Sequence, residues 1–114
     1  MNINELTIGQ ARELAALLNT NVATVASHPF TIGANYFIRT VTHHFTGKLL
    51  QVFPTELVLV DGAWIADDGR LSDALRKGEF TEVEPFPDDQ QIIIGRGSII
   101  DAQIFAHKLP RSQK

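Results

Sequence analysis

The segment "TGKLLQVFPTELVLVDGAWIAD", residues 46–67, decides the fold class because it alternates apolar runs with turn residues. Two runs rich in Leu and Val flank Pro54-Thr55, a pattern typical of a β-hairpin. Asp61-Gly62 predicts a turn or a bulge, after which "AWIAD" resumes the strand. The segment therefore predicts a hairpin and its continuation.

Strands are also predicted on both sides of this hairpin. "NYFIRTVTHH" (35–44) precedes it, and "QIIIG" (91–95) and "SIIDAQIF" (98–105) follow it, all with the β-branched and aromatic residues that favour strands. The intervening "FTEVEPFPDDQ" (80–90) is acidic and holds two prolines, so it predicts an edge strand or a loop.

Two helices are predicted around these strands. In "LTIGQARELAALLN" (6–19), Thr7 and Gln10 have the spacing of a capping box, and Leu14 and Leu18 recur at helical spacing. We expect a helix over 7–18 that packs this face on the sheet. A short helix is predicted from about Asp73 to Lys77, with Ser72 as its N-cap and Gly78 as its C-cap.

Together these elements predict one domain over residues 1–114, in the α+β class but mainly β. The N-terminal helix would lie on a small five-stranded bent sheet or barrel over about 36–105, of the Sm-like or SH3-like kind. The short helix would separate the third and fourth strands, and a basic tail would occupy 107–114.

Bulk properties exclude several classes of protein. The net charge of −3 argues against non-specific duplex binding, and the absence of cysteine excludes disulfides and thiolate chemistry. The first residues, "MNINELTIGQ", lack a signal-peptide pattern, and the apolar runs are too short to span a bilayer. We therefore expect a cytoplasmic protein with no membrane partner.

"IIIGRGSII" (92–100) places Gly95-Arg96-Gly97 between two apolar runs and resembles the second signature of the Sm-like fold. Gly47, Leu49, Val60 and Ala63 resemble its first signature, at such spacings in the hairpin segment. The resemblance implies that Arg96 points toward a ring pore and that Gly97 permits the tight turn. A plain structural interpretation is that glycines mark a turn and Arg96 points to water.

Most of the chain, roughly residues 6–105, also resembles a group of small, functionally uncharacterised proteins of tailed bacteriophages. The similar segments are "LTIGQARELAALL", "YFIRT", "TGKLL…ELVLVDGAWI" and "GRLSDALRKG". This resemblance implies a phage origin, and with it the cytoplasm of an infected host cell or the virion.

A cationic patch is the first site hypothesis. Arg39 and His43 share a face if the first strand runs through them, Lys48 can join across the hairpin, and Arg96 can join if the last strand lies beside the first. Arginine presents a planar fork to phosphate oxygens. The alternative is that all four residues are solvated surface groups.

Other side chains suit a catalytic or metal site less well. Adjacent strand residues point to opposite faces, so His43 and His44 cannot both ligate one ion, and no metal is predicted. No serine has a nucleophile context, and the paired carboxylates lie in loops. Trp64 fits the core best, with a stacking platform or an interface anchor as alternatives, and Tyr36 and Phe37 are treated in the same way.

These observations predict a non-enzymatic, phage-type binding module that self-associates and needs no cofactor. Its predicted ligand is anionic, a short RNA or a nucleotide signal of host defence, held by Arg96, Gly97, Arg39, His43, Lys48 and Trp64. The alternative is a structural or assembly protein of the virion, a cement or an adaptor, whose basic tail contacts an acidic virion or host protein.

Overall fold

The computed structural model describes residues 28–114. The helix predicted over 7–18 lies outside these residues. The described chain forms β1 (Asn35–Thr40), β2 (His44–Val52), β3 (Glu56–Asp67), α1 (Leu71–Lys77), β4 (Glu82–Pro85), β5 (Ile92–Gly95), a 3-10 turn (Arg96–Ser98) and β6 (Ile99–Ile104). The mainly β class is confirmed.

The strands form one antiparallel sheet in the order β4-β3-β2-β1-β6, with β5 also paired to β3. The predicted count of five strands was wrong, because the acidic segment 80–90 contributes β4 as a sixth. Of the two predicted alternatives, an edge strand or a loop, the edge strand is confirmed: among the strands of residues 28–114, β4 pairs only with β3. The sheet is bent but not closed: no strand pairing joins β5 to β6.

A bend in β3 allows this long strand to pair with two different strands along the same edge. Its first half pairs with β5, from Glu56 to Leu59, and its second half pairs with β4, from Ala63 to Asp67. Between the halves, Asp61 has a φ of 52°, and the register with β2 shifts. Asp61-Gly62 is therefore the predicted bulge, lying inside a strand that continues through it.

Both faces of the sheet carry an apolar core, because side chains alternate between faces along each strand. On β1, Tyr36 and Ile38 point into the first core and Phe37 into the second. The first core comprises Tyr36, Ile38, Leu49, Leu57, Leu59, Ile92 and Ile94. The second comprises Phe37, Ala63, Ile65, Ala74, Phe80, Val83 and Phe105. Tyr36 and Phe37 are thus core residues, as predicted.

Helix α1 covers the second face through Ala74, which is fully buried. It begins after Arg70, which makes no side-chain cap, so the N-cap predicted at Ser72 was wrong. Gly78 is the predicted C-cap, with left-handed φ of 68° and its N–H bonded to the Ala74 carbonyl.

The basic tail 107–114 packs on the sheet. Arg111 donates hydrogen bonds to the carbonyl oxygens of Gly62 and Phe86, at 2.7 and 2.9 Å, and to Asp88 at 2.6 Å. Lys114 and Val83 exchange two backbone hydrogen bonds of 3.0 Å. Part of the tail's charge is therefore already paired within the protein.

Candidate functional site

The six predicted site residues lie at four separate places. His43 and Trp64 share one face of the sheet, whereas Arg39 lies on the other. Lys48 pairs with Asn35 at the start of β1, far along the strand from Arg39. Arg96 and Gly97 lie in the 3-10 turn between β5 and β6.

A turn after Thr40 separates Arg39 from His43. The predicted strand 35–44 ends at Thr40, whose N–H bonds to the His43 carbonyl at 2.8 Å, and β2 begins at His44. Because the chain reverses here, Arg39 and His43 do not share a face. The predicted cationic patch of Arg39, His43 and Lys48 was therefore wrong as a cluster.

Arg39 forms an ion pair with Asp101 on the neighbouring strand β6. Both guanidinium and carboxylate are about 30% exposed, Nε lies 2.8 Å from Oδ1, and a second hydrogen bond joins the terminal nitrogen to Oδ2. The hydrogen bond from Arg39 lowers the pKa of Asp101, and Asp101 raises the pKa of Arg39. The charge of Arg39 is therefore already paired, in a contact that links β1 to β6.

His44 and Asp68 lie beside this pair. His44 Nδ1 is 2.7 Å from Asp68 Oδ2, and the His44 ring meets Phe37 edge-on at 6.0 Å between centroids. His43 points to the opposite face, as the alternation argument predicted. Across residues 28–114, no group of three His, Asp or Glu side chains is arranged to hold a metal ion.

Arg96 contacts the hairpin turn between β2 and β3. Its guanidinium donates to the carbonyl oxygens of Phe53 at 2.8 Å and Pro54 at 3.4 Å, and Cζ lies 5.5 Å from the Phe30 ring centroid. Gly97 does not have a left-handed φ, and a Cβ there would meet no atom within 4 Å. The prediction that the turn needs the backbone freedom of Gly97 was wrong.

Lys48 lines a shallow depression of about 470 Å³, which we name the Lys48 depression. Its other lining residues are Asn35, Asp61, Asp88, Lys108, Leu109 and Arg111. Arg111 is paired with Asp88, but within the described chain Lys48 and Lys108 make no ion pair. The carboxylate of Asp61 also lines the depression outside any ion pair of the described chain, so the ammonium groups of Lys48 and Lys108 leave a net charge of +1 there.

His43 and Trp64 line an open groove of about 450 Å³, here named the Trp64 groove. The other lining residues are Phe45, Glu84, Pro85, Phe86 and Pro87. The strand register assembles it: Phe45 on β2 pairs with Trp64 on β3, and Trp64 pairs with Glu84 on β4. These three side chains stand in a row on one face.

Aromatic contacts fix the walls of the Trp64 groove. The His43 ring lies 5.8 Å from Trp64 and 6.2 Å from Phe45, and Phe45 stacks on Phe86 at 6.3 Å, all between centroids. Phe45 and Phe86 also pack against the first core. The groove is therefore an extension of that core to the surface, with its base packed against the core.

Trp64 is 38% exposed, so the prediction that it belongs to the core was wrong. Among the strands of residues 28–114, β4 is the last on this side of the sheet and places Glu84 opposite Trp64, so part of the indole stays exposed. Sequence reasoning also missed Phe45, Phe86 and Glu84 as site residues. The usable signal was the i, i+2 spacing of His43 with Phe45 and of Glu84 with Phe86, which puts each pair on one face.

No protein-family model matches the chain, and no curated protein matches it significantly. Among residues 28–114, no helix combines the length and the apolar character needed to span a lipid bilayer.

Proposed function

We propose that the protein is a non-enzymatic binding module that holds an extended segment of a partner protein in the Trp64 groove. The observation that carries the proposal is the exposure of Trp64 within a cluster of aromatic rings whose base packs against the first core. Binding sites are typically concave, mainly apolar and largely preformed. Exposed tryptophan in such a setting is the residue type that most often dominates binding energy.

The fold type belongs to the same proposal. The order β6-β1-β2-β3-β5, with a 3-10 turn linking β5 to β6, supports a small, partly open barrel of the SH3-like or Sm-like kind. In that arrangement the Trp64 groove lies where β3 leaves β5 and pairs with β4 instead. The site would therefore sit where β3 extends past β5, away from the unpaired edges of β5 and β6.

Trp64 is the only tryptophan in the chain, so its fluorescence reports on the groove alone. The test titrates the protein with capped peptides Ala-Pro-X-Pro-Ala, in which X is leucine, arginine, citrulline or glutamate. The prolines hold each peptide extended and reduce the entropy lost on binding. We expect a saturable change in emission with at least one of the four peptides.

Two variants separate groove binding from other surface binding. Phe86→Ala removes a groove wall and should weaken binding about tenfold or more. Ile93→Ala removes an apolar side chain that is 69% exposed on β5, away from the groove, and should leave affinity unchanged. If no peptide binds at millimolar concentration, or if both variants bind like the original protein, the groove proposal fails.

The anionic ligand remains a second proposal, which the Lys48 depression favours. The unpaired ammonium groups of Lys48 and Lys108 would neutralise phosphates of a short RNA or a nucleotide. A hexauridylate titration followed by calorimetry tests it, with Lys48→Gln expected to reduce affinity and Lys77→Gln, on α1, expected to leave it unchanged. Equal loss in both variants would indicate general charge attraction alone.

We also propose that the protein is of phage origin and self-associates. It would act in the infected cell or in the virion. A partner-binding groove suits an intracellular accessory protein and also an adaptor of the virion. Mass spectrometry of purified virions separates the two roles: a stoichiometric copy number supports the adaptor, and absence supports the intracellular role.

A further inference from the structure

We infer that the Trp64 groove recognises a partner segment that presents an arginine side chain, with the guanidinium held between the Trp64 indole and the Glu84 carboxylate. This inference rests on the proposed function of the groove. It adds the chemical class of the ligand.

The register of β3 and β4 creates the geometry. Trp64 and Glu84 are direct partners across the two strands, and both side chains are exposed on the same face. Side chains in such positions have Cβ atoms about 4.5–5.5 Å apart. A planar guanidinium can therefore contact the indole face and donate to the carboxylate at the same time.

The charge of the groove also favours a cationic ligand. Glu84 is the only Asp, Glu, Lys or Arg among the lining residues. The four ion pairs of the described chain involve Asp101, Asp68, Asp73 and Asp88, and none involves Glu84. The groove thus carries one uncompensated negative charge on an apolar surface, which a cationic ligand would neutralise.

Glu84 is also held in place. Gln113 donates a hydrogen bond of 3.1 Å to Oε1, which leaves Oε2 for a ligand. The prolines on either side of Phe86, Pro85 and Pro87, restrict the backbone next to Glu84. Little ordering of the carboxylate would therefore be needed on binding, which favours affinity.

The same features disfavour an anion in this groove. A phosphate on the indole would lie beside Glu84 with no lysine or arginine lining the walls. Repulsion between the phosphate and the Glu84 carboxylate would disfavour binding. An anionic ligand would bind in the Lys48 depression instead, so the two proposals concern different surfaces.

The test compares the arginine, citrulline and glutamate peptides of the same Ala-Pro-X-Pro-Ala series. Citrulline has nearly the shape of arginine but no charge. We expect the arginine peptide to bind about five- to tenfold more tightly than the citrulline peptide, and the glutamate peptide to bind most weakly. The advantage of arginine should decrease as ionic strength rises, because the groove is open to solvent.

Glu84→Gln should remove most of the difference between arginine and citrulline while keeping the shape of the groove. Glu82→Gln is the matched control, because Glu82 is exposed on the same strand, removes the same charge and does not line the groove. Trp64→Phe, followed by calorimetry, should weaken the arginine peptide more than the citrulline peptide.

Three results would overturn the inference: equal affinity for arginine and citrulline, a preference for glutamate, or equal effects of the two glutamine variants. Equal affinity for arginine and citrulline, both weakened by Phe86→Ala, would leave the groove as a binding site and reject only its cationic ligand. Absence of binding by every peptide would reject both the inference and the proposed function.

Discussion

At the scale of single residues, the Arg39–Asp101 pair makes stability depend on pH. The pKa of Asp101 is lowered in the folded protein, so its carboxyl holds a proton less readily there than in the unfolded chain. The pair therefore stabilises the fold above the unfolded pKa of about 4, and this contribution is lost as the pH falls through the lower folded value.

We predict that Asp101→Asn lowers the free energy of unfolding by about 1 kcal/mol or less at pH 7, since the pair is partly exposed. The difference between original and variant should shrink on acidification from pH 5 toward pH 2. Urea unfolding across this range measures it. Asp73→Asn, which breaks the more exposed pair with Lys77, serves as the control. A difference that stays constant with pH would contradict the prediction.

Arg96 provides the second prediction at this scale. Arg96→Ala should lower the free energy of unfolding by roughly 1 kcal/mol, because the Phe53 and Pro54 carbonyls lose a charged donor. Gly97→Ala, next to it, should change stability by less than about 0.5 kcal/mol, because a Cβ has open space there. Urea midpoints of both variants test this. An unchanged midpoint for Arg96→Ala would show that its contacts with the turn do not stabilise the fold, and would leave its guanidinium as a candidate phosphate ligand.

At the scale of elements, α1 depends on its C-terminal glycine. Gly78 has a φ of 68°, and a Cβ there would lie 2.8 Å from the His107 side chain. Gly78→Ala should therefore cost roughly 1–2 kcal/mol from backbone strain and crowding. Thermal melts compare it with Gly95→Ala, where a Cβ meets nothing within 4 Å. Equal melting temperatures would show that the helix end and the tail adjust freely.

Sequence predicts the elements of this chain better than it predicts their ends and partners. The hairpin, the bulge at Asp61-Gly62 and the Gly78 cap each depend on local backbone chemistry, which a few adjacent residues determine. The acidic, proline-containing sequence of β4 gives a weak local signal, which predicts no more than an edge strand or a loop. Its pairing with β3 depends on residues about 20 positions earlier, which no local pattern encodes.

The candidate site was predicted less well than the elements, because it also depends on pairing between strands that are distant in sequence. Arginine and lysine are conspicuous in a sequence, but whether Asp101 neutralises Arg39 depends on a pairing of β1 with β6. The apolar strand around Trp64 favours a core position for this residue. Its exposure depends on the pairing of β3 with β4, which places the polar Glu84 opposite it.

At the scale of the whole molecule, strands β5 and β6 each leave one edge unpaired in the sheet. Among the described residues, β5 pairs only with β3 and β6 only with β1. Ile93 on β5 and Ile100 and Ile104 on β6 are 57–69% exposed near these edges. Exposed apolar edge strands are templates for pairing with another chain, which supports self-association.

We therefore predict a homo-oligomer in solution that Ile104→Lys dissociates. A lysine on an edge strand disfavours pairing with a second copy. Light scattering at micromolar concentration measures the mass, and Val41→Lys is the control, because Val41 is 72% exposed in the β1–β2 turn, outside β6. A mass of 12.6 kDa for the original protein would contradict the prediction.

The pairing of β1 with β6 also bears on how the chain reaches its native state. Arg39 and Asp101 are 62 positions apart, whereas β2 and β3 are joined by a tight turn. Closing the longer loop costs more conformational entropy and yields contacts only when most of the sheet exists. We expect the β2–β3 hairpin to nucleate folding and β6 to dock last. In native-state hydrogen exchange, the amides of β6 should then open at lower free energy than those at the centre of β2, making this strand the site of first unfolding.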